Sequence, residues 1–312
     1  MKAATKGTIL VGISAILFSL MSLFVKLCDL SSWEVFFIRG IFQALISAGF
    51  AAKRGVYPFG HHSTRKLLCL NGLFGSLRVG LFFYAVKNGN LGDVTSIFFT
   101  APSLTILITA MFFGVPLRMT TAASIILCFI GSILVAKPPL LFEQDEDIEY
   151  FTMVVSLFGA IASAAFYVTI PMINKKANDS AIIFYFGIIS AIVSIVPMFA
   201  SGVALPDGLE WFWITMVVIT GYLGQVCLNT GLKNAPTSSV LLRNIDVVMA
   251  FLYSHFIFHG LVTITSIIGA LLICLGGALV VLESLMQNSG VIDTESGTPE
   301  ESKGLLDEEI EE

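Results

Sequence analysis

A chain of 312 residues that is 56% hydrophobic and only 12% charged, with a mean hydropathy of +0.88, lies far outside the composition of water-soluble proteins. It has too few charges to cover a soluble surface, so a soluble enzyme or binding domain is excluded. The formal net charge of −5 misleads, because residues 284–312 hold nine acids against Lys303 alone and the rest of the chain is weakly positive, which leaves no electrostatic footprint for nucleic acid.

A helix needs about 20 mostly apolar residues to cross the hydrocarbon core of a bilayer. Ten such runs follow one another, at 7–27, 33–52, 67–86, 94–113, 119–136, 151–173, 180–201, 210–232, 237–258 and 262–283. They predict an all-α, multi-pass membrane protein. The first run exceeds the h-region of a signal peptide and ends at Lys26 without a small-residue cleavage site, so it is expected to stay as a helix. Eleven lysines and arginines, Lys2, Lys53, Arg65 and Lys175 among them, fall on the side of the amino terminus, against Lys26, Lys87 and Lys137 on the other. By the positive-inside rule both ends face the cytoplasm, in the plasma membrane or an endomembrane. The acceptor sequence Asn178-Asp179-Ser180 then lies on the side where it cannot be glycosylated. The five cysteines, spread through apolar runs, read as buried thiols and suggest neither a metal nor a redox pair.

Two stretches echo each other about 145 residues apart. Ala85-Val86-Lys87-Asn88 precedes an apolar helix and Ile130-Gly131-Ser132-Ile133-Leu134-Val135; Gly231-Leu232-Lys233-Asn234 precedes another and Leu275-Gly276-Gly277-Ala278-Leu279-Val280. Five helices occurring twice place the second half upside down, the inverted-repeat plan of many secondary transporters. The expected units are residues 1–150, residues 151–286 and an acidic tail at 287–312.

The doubled pattern resembles the drug/metabolite transporter superfamily with two EamA-type halves, and more closely the G branch of the solute carrier 35 family. The resemblance rests on Glu34-Val35-Phe36-Phe37-Ile38-Arg39-Gly40, on Phe83-Tyr84-Ala85-Val86 with Asp93-Val94-Thr95-Ser96-Ile97-Phe98-Phe99-Thr100-Ala101-Pro102, and on Leu241-Leu242-Arg243-Asn244-Ile245-Asp246-Val247-Val248-Met249-Ala250-Phe251. It implies a carrier of small metabolites, nucleotide sugars and amino acids among them. The superfamily often has Glu near the ends of helices four and nine, where this chain has Gly114-Val115 and Phe258-His259.

Charges inside the membrane cost about 2.5–3.5 kcal/mol each on insertion scales and mark cavities or partners. Arg78, near the middle of helix three, is the first candidate for substrate binding, because a guanidinium offers five fixed donors to a carboxylate or phosphate. Arg243 and Asp246, three apart on one helix face, either pair with each other or bind solute, with Asn244 between them. Arg39 either lines the cavity or meets an acid, and Glu34 reads as solvated near the interface. Tyr84, Tyr167, Tyr222, Gln225 and Asn229 offer polar tips between apolar walls. Three arginines against two acids favour an anionic solute. His255 and His259 lack a third ligand, so no metal is expected, and neither a cofactor nor an enzymatic motif is apparent. Pro102 and Pro171 either break helices beside the cavity or are simply tolerated.

The tail at 287–312 is expected to be disordered. Within it Glu301 with Leu305 and Leu306 resembles an acidic dileucine sorting signal read by adaptor proteins. The sequence thus predicts a secondary transporter of a small anionic metabolite such as a carboxylate or a phosphorylated or nucleotide-linked sugar; a membrane scaffold working through its tail is the alternative.

Overall fold

The structure is a computed structural model, describing residues 3–88, 97–115, 117–136, 150–173, 177–204, 206–257 and 264–288. Ten α-helices stand in them: α1 (Ala3–Leu27), α2 (Ser32–Lys53), α3 (Arg65–Asn88), α4 (Ala101–Phe113), α5 (Met119–Ala136), α6 (Tyr150–Ile173), α7 (Asp179–Ser201), α8 (Gly208–Asn234), α9 (Ile245–Phe256) and α10 (Ile264–Asn288). Two 3₁₀ segments, His62–Thr64 and Thr237–Asn244, complete the set, and no strand occurs among the described residues. α10 runs two residues into the expected tail.

Six of these helices are long and apolar enough to cross a membrane unaided, and α4 and α5 are shorter apolar helices. The outer surface confirms the solvent it expects: Met119 is 87% exposed, Met111 78% and Val196 77%. Side chains of this kind at that exposure belong in lipid. Cys69 and Cys274 are also exposed, contrary to the expectation of buried thiols, since an apolar run in a bilayer faces lipid as well as core.

Helices four and nine depart from the expected continuous runs. Helix four is interrupted: Ile97 and Phe98 are α-helical, Phe99 and Thr100 form a turn, and α4 begins at Ala101 with Pro102 in its first turn, where a missing N–H costs nothing. Helix nine is split. Pro236 caps a 3₁₀ segment that carries the chain through Asn244 before the α-helix begins. Eight 3₁₀ residues at about 2.0 Å and twelve α-helical residues at about 1.5 Å still give roughly 34 Å, enough to span.

The packing has the symmetry of an inverted duplication. α1 lies on α8 as α3 lies on α6; α2 pairs with α7, α5 with α10, and α4 on α6 is matched by α9 on α1. Exchanging each helix with the one five places later maps this set onto itself. α2 and α7 cross where a Cβ on Gly40 would stand 2.8 Å from the Gly187 oxygen and one on Gly187 2.6 Å from that of Gly40. Only glycine permits that approach. Many hydroxyls return to their own helix, as in Ser132 donating to the Cys128 carbonyl at 2.7 Å, Ser163 to Gly159 at 2.8 Å and Thr220 to Met216 at 2.6 Å.

The contacts also divide the molecule into two bundles. α2, α3, α4, α6 and α7 pack chiefly among themselves, and so do α1, α5, α8, α9 and α10. Across the seam α8 meets α2, α6 and α7, while the 3₁₀ segment meets α4.

Candidate functional site

The seam gathers most of the charge buried in the molecule. Arg243, at the end of the 3₁₀ segment, donates from Nη2 to the Oδ2 of Asp246 in the first turn of α9, at 3.1 Å. A carboxylate suits a helix amino terminus, where unpaired N–H groups point. The guanidinium of Arg243 lies over the ring of Phe18 on α1, 4.9 Å from its centroid. Ser19 and Tyr253 stand beside Asp246. These residues belong to one bundle.

The other bundle supplies two more arginines. Arg78 on α3 lies 5.0 Å from the ring centroid of Phe166 and 5.9 Å from that of Tyr167, both on α6. Arg39 on α2, only 3% exposed, lies 5.6 Å from the ring of Phe186 on α7. Gly221 on α8 makes room for it, since a Cβ there would meet the Arg39 Nε at 2.8 Å. Tyr167 is buried between the bundles and feels both Arg78 and Arg243, while Arg78 also feels Asp246. Each cation over a ring gains about 0.5–2 kcal/mol, which offsets part of its desolvation.

Charge balance decides what this arrangement can hold. Among the described residues three guanidiniums face one carboxylate, Asp246. Among the described residues, Arg39 Nε and Nη2, Arg78 Nε, and Arg243 Nε and Nη1 are buried without a hydrogen-bond partner. Donors of this kind need acceptors.

The remaining candidates distribute unevenly. Asn244 is fully buried, with both side-chain polar atoms unpartnered, in the same segment as Arg243. Gln225 Nε2 donates to Asn229 Oδ1 at 3.2 Å along one face of α8, leaving Gln225 Oε1 and Asn229 Nδ2 unpartnered. Tyr84 is 39% exposed and packs edge-on against Phe151, 6.3 Å between centroids. Tyr222 stacks on Phe50 at 6.0 Å. The side chain of His255, all of His259, and Glu301, Leu305 and Leu306 lie outside the described residues.

Glu34 corrects the sequence reading. It is 4% exposed rather than solvated, receives the Ser31 N–H at 3.0 Å in a capping box at the start of α2, and accepts the Ala204 N–H at 2.6 Å. It is a structural tie. Glu283 escaped the sequence reading: 3% exposed, it accepts from Thr121 Oγ1 at 3.1 and 2.9 Å and lies 3.9 Å from Arg118, joining α5 to α10. Gln43, one turn beyond Arg39, was legible by its i+4 spacing, and Tyr253 by its place two turns beyond Asp246. Phe18, Phe166 and Phe186 carried no signal among 26 phenylalanines.

Comparison with known proteins fixes what such a seam belongs to. Residues 5–137 match the EamA-like transporter family. That match covers fewer than half of the residues and lies in the first of the two halves. The human protein "Solute carrier family 35 member G1" is 28% identical over 83% of this chain and 74% of its own. An uncharacterized transporter of Helicobacter pylori is 26% identical over 90% of this chain and 98% of its own. The pseudopaline exporter of Pseudomonas aeruginosa is 26% identical over 75% of this chain and 81% of its own. A solved crystal structure, 15% identical, superposes with a TM-score of 0.77 over 91% of this chain and 99% of its own, which establishes the fold. These likenesses support a multi-pass membrane transporter, similar to EamA-type carriers over residues 5–137 and to the G branch of solute carrier 35 along most of the chain.

Proposed function

We propose that this EamA-like transporter carries a small organic anion by alternating access, with the solute held in the seam between the two bundles. The observation that carries this reading is the excess of guanidinium over carboxylate in the buried core, with five arginine N–H positions left without acceptors. A carboxylate or phosphate group would supply them in bidentate geometry, which suits Arg better than any other side chain.

Roles follow from position. Arg78 and Arg39 present donors from one bundle and Arg243 from the other, so an anion bound among them bridges the seam. Asp246 holds Arg243 in place and lowers the local positive charge. Tyr167 stands between Arg78 and Arg243 and orients both, while Asn244 offers a donor and an acceptor to the uncharged part of the solute. Residues 1–150 and 151–286 form the inverted halves, each lending helices to both bundles, so the seam draws its residues from both halves, as in carriers built from inverted repeats. Both ends of the chain face the cytoplasm in this reading, on the distribution of Lys and Arg.

The test is uptake into proteoliposomes of a pooled panel of organic anions, cations and neutral metabolites by the intact protein and by Arg78→Ala and Arg243→Ala. Saturable uptake of an anion, lost in both variants while they stay folded, is the expected result. Uptake of a cation or a neutral solute that ignores both arginines would overturn the anion reading.

A further inference from the structure

At the end of the molecule where the chain begins, a second polar cluster crosses the seam. Asp179, the first residue of α7, meets Lys233 in the last turn of α8, Oδ1 to Nζ at 2.8 Å. Thr230 donates to the other oxygen, Oδ2, at 2.7 Å, and Lys233 also donates to the Ala177 carbonyl at 3.0 Å. Asp179 and Ala177 belong with one bundle, Thr230 and Lys233 with the other. Gly7 near the start of α1 packs against Gly231 and Ala235, which places the cluster at that end of the molecule.

Between this cluster and the arginines runs a line of buried amides. On α2, Gln43 follows Arg39 by one turn, is 0% exposed, and has neither Nε2 nor Oε1 partnered. On α8, Gln225 follows Gly221, the residue that gives Arg39 its space, and Asn229 follows Gln225 by a further turn. Thr230 comes next. Both amides on α8 are 0% exposed, and Gln225 Oε1 and Asn229 Nδ2 lack partners. Unpartnered buried amides in a lipid-embedded core are costly unless another state of the protein wets or occupies them.

We infer that Asp179 and Lys233 form a latch that closes the bundle seam at this end, and that Gln43, Gln225 and Asn229 line the half-path opened when the latch parts. The inference rests on the carrier reading for its purpose but on the seam geometry for its residues. An ion pair with 11% and 31% of its two side chains exposed gives a modest, reversible hold, as a latch requires. Thr230 and the Ala177 carbonyl aim both charges.

The experiment places a cysteine at Gln225 and measures its modification by a membrane-impermeant maleimide in proteoliposomes, above the background of the five native cysteines in the parent protein. With the latch intact, labelling is slow; in Asp179→Asn and in Lys233→Met it rises at least about five-fold at equal melting temperature. The exchanged pair, Asp179→Lys with Lys233→Asp, returns it toward the parent rate. Labelling unchanged by either single variant, or raised equally in the exchanged pair, overturns the latch. Because no solute is needed, failure of anion uptake with latch-dependent labelling sinks the anion reading alone, and intact uptake with constant labelling sinks the latch alone.

Discussion

A turn at Phe99–Thr100 precedes α4 and a 3₁₀ segment precedes α9, and the residues described around the two interruptions differ in chemistry. In the second half the interruption before α9 carries Arg243 and Asn244, with Asp246 in the first turn of the helix that follows. In the first half, the described residues just before α4 include Ile97 and Phe98, and the Phe98 ring lies edge-on to Phe82, centroids 4.9 Å apart, and against Gly159 of α6. Duplication supplied two helix breaks, and a ligand needs charge at one. A second set of buried cations would cost several kcal/mol without an acceptor. At its described edge the first break is closed by the Phe98 ring, while the second carries polar residues.

The contrast can be broken most severely at the charged side. Arg243→Ala or Arg78→Ala removes donors to a charged acceptor, worth about 1.5–3 kcal/mol each. Anion uptake at low concentration should fall roughly 10- to 100-fold, measured as initial rates in proteoliposomes. Arg78→Lys should recover only part of it, since an ammonium cannot form the planar fork.

On the sealed side the effect is on folding. Gly159→Val drives a branched side chain into the Phe98 ring, and overpacking of this kind costs about 1–3 kcal/mol. The melting temperature should drop in detergent, and the double variant Gly159→Val with Phe98→Ala should regain part of it. If Gly159→Val melts like the parent, the ring does not seal the break.

Glu283→Gln lies away from both breaks, in the tie between α5 and α10. It keeps one acceptor for Thr121 and loses the charge near Arg118, so a loss of about 1 kcal/mol is expected, with the half-saturation for solute unchanged. The smallest effect is at Cys28, which follows α1. Burial raises its thiol above the usual range, with a partly opposing hydrogen bond to Leu30. It should resist maleimide at neutral pH, where the thiolate reacts.

Much of this was legible in the sequence, for a definite reason. Charge within an apolar run is so expensive that Arg39, Arg78, Arg243 and Asp246 announced themselves, and the echo of Lys87-Asn88 in Lys233-Asn234 disclosed the duplication. The break before α9 was hidden because 237–258 reads as one apolar run with a few polar residues; hydropathy does not distinguish 3₁₀ from α. The capping role of Glu34 was written in its spacing from Ser31, as it is for Asp207 and Glu210 at the start of α8. It was obscured by treating every intramembrane acid as a candidate for function or solvation. Which aromatic ring each guanidinium chooses depends on helix packing, and no local pattern encodes it.

The hydroxyls that bond back to their own helices have a mechanical consequence. Where Ser or Thr reaches across to a neighbour, sliding one helix past another must rupture that bond; where it is satisfied at home, sliding ruptures nothing. Ser132, Ser163 and Thr220 thus act as lubricant rather than glue, and the glycine faces of α2 and α7 leave no side chain there to catch. At these positions sliding ruptures no hydrogen bond, whereas the bond from Thr230 to Asp179 across the seam must break before the bundles part.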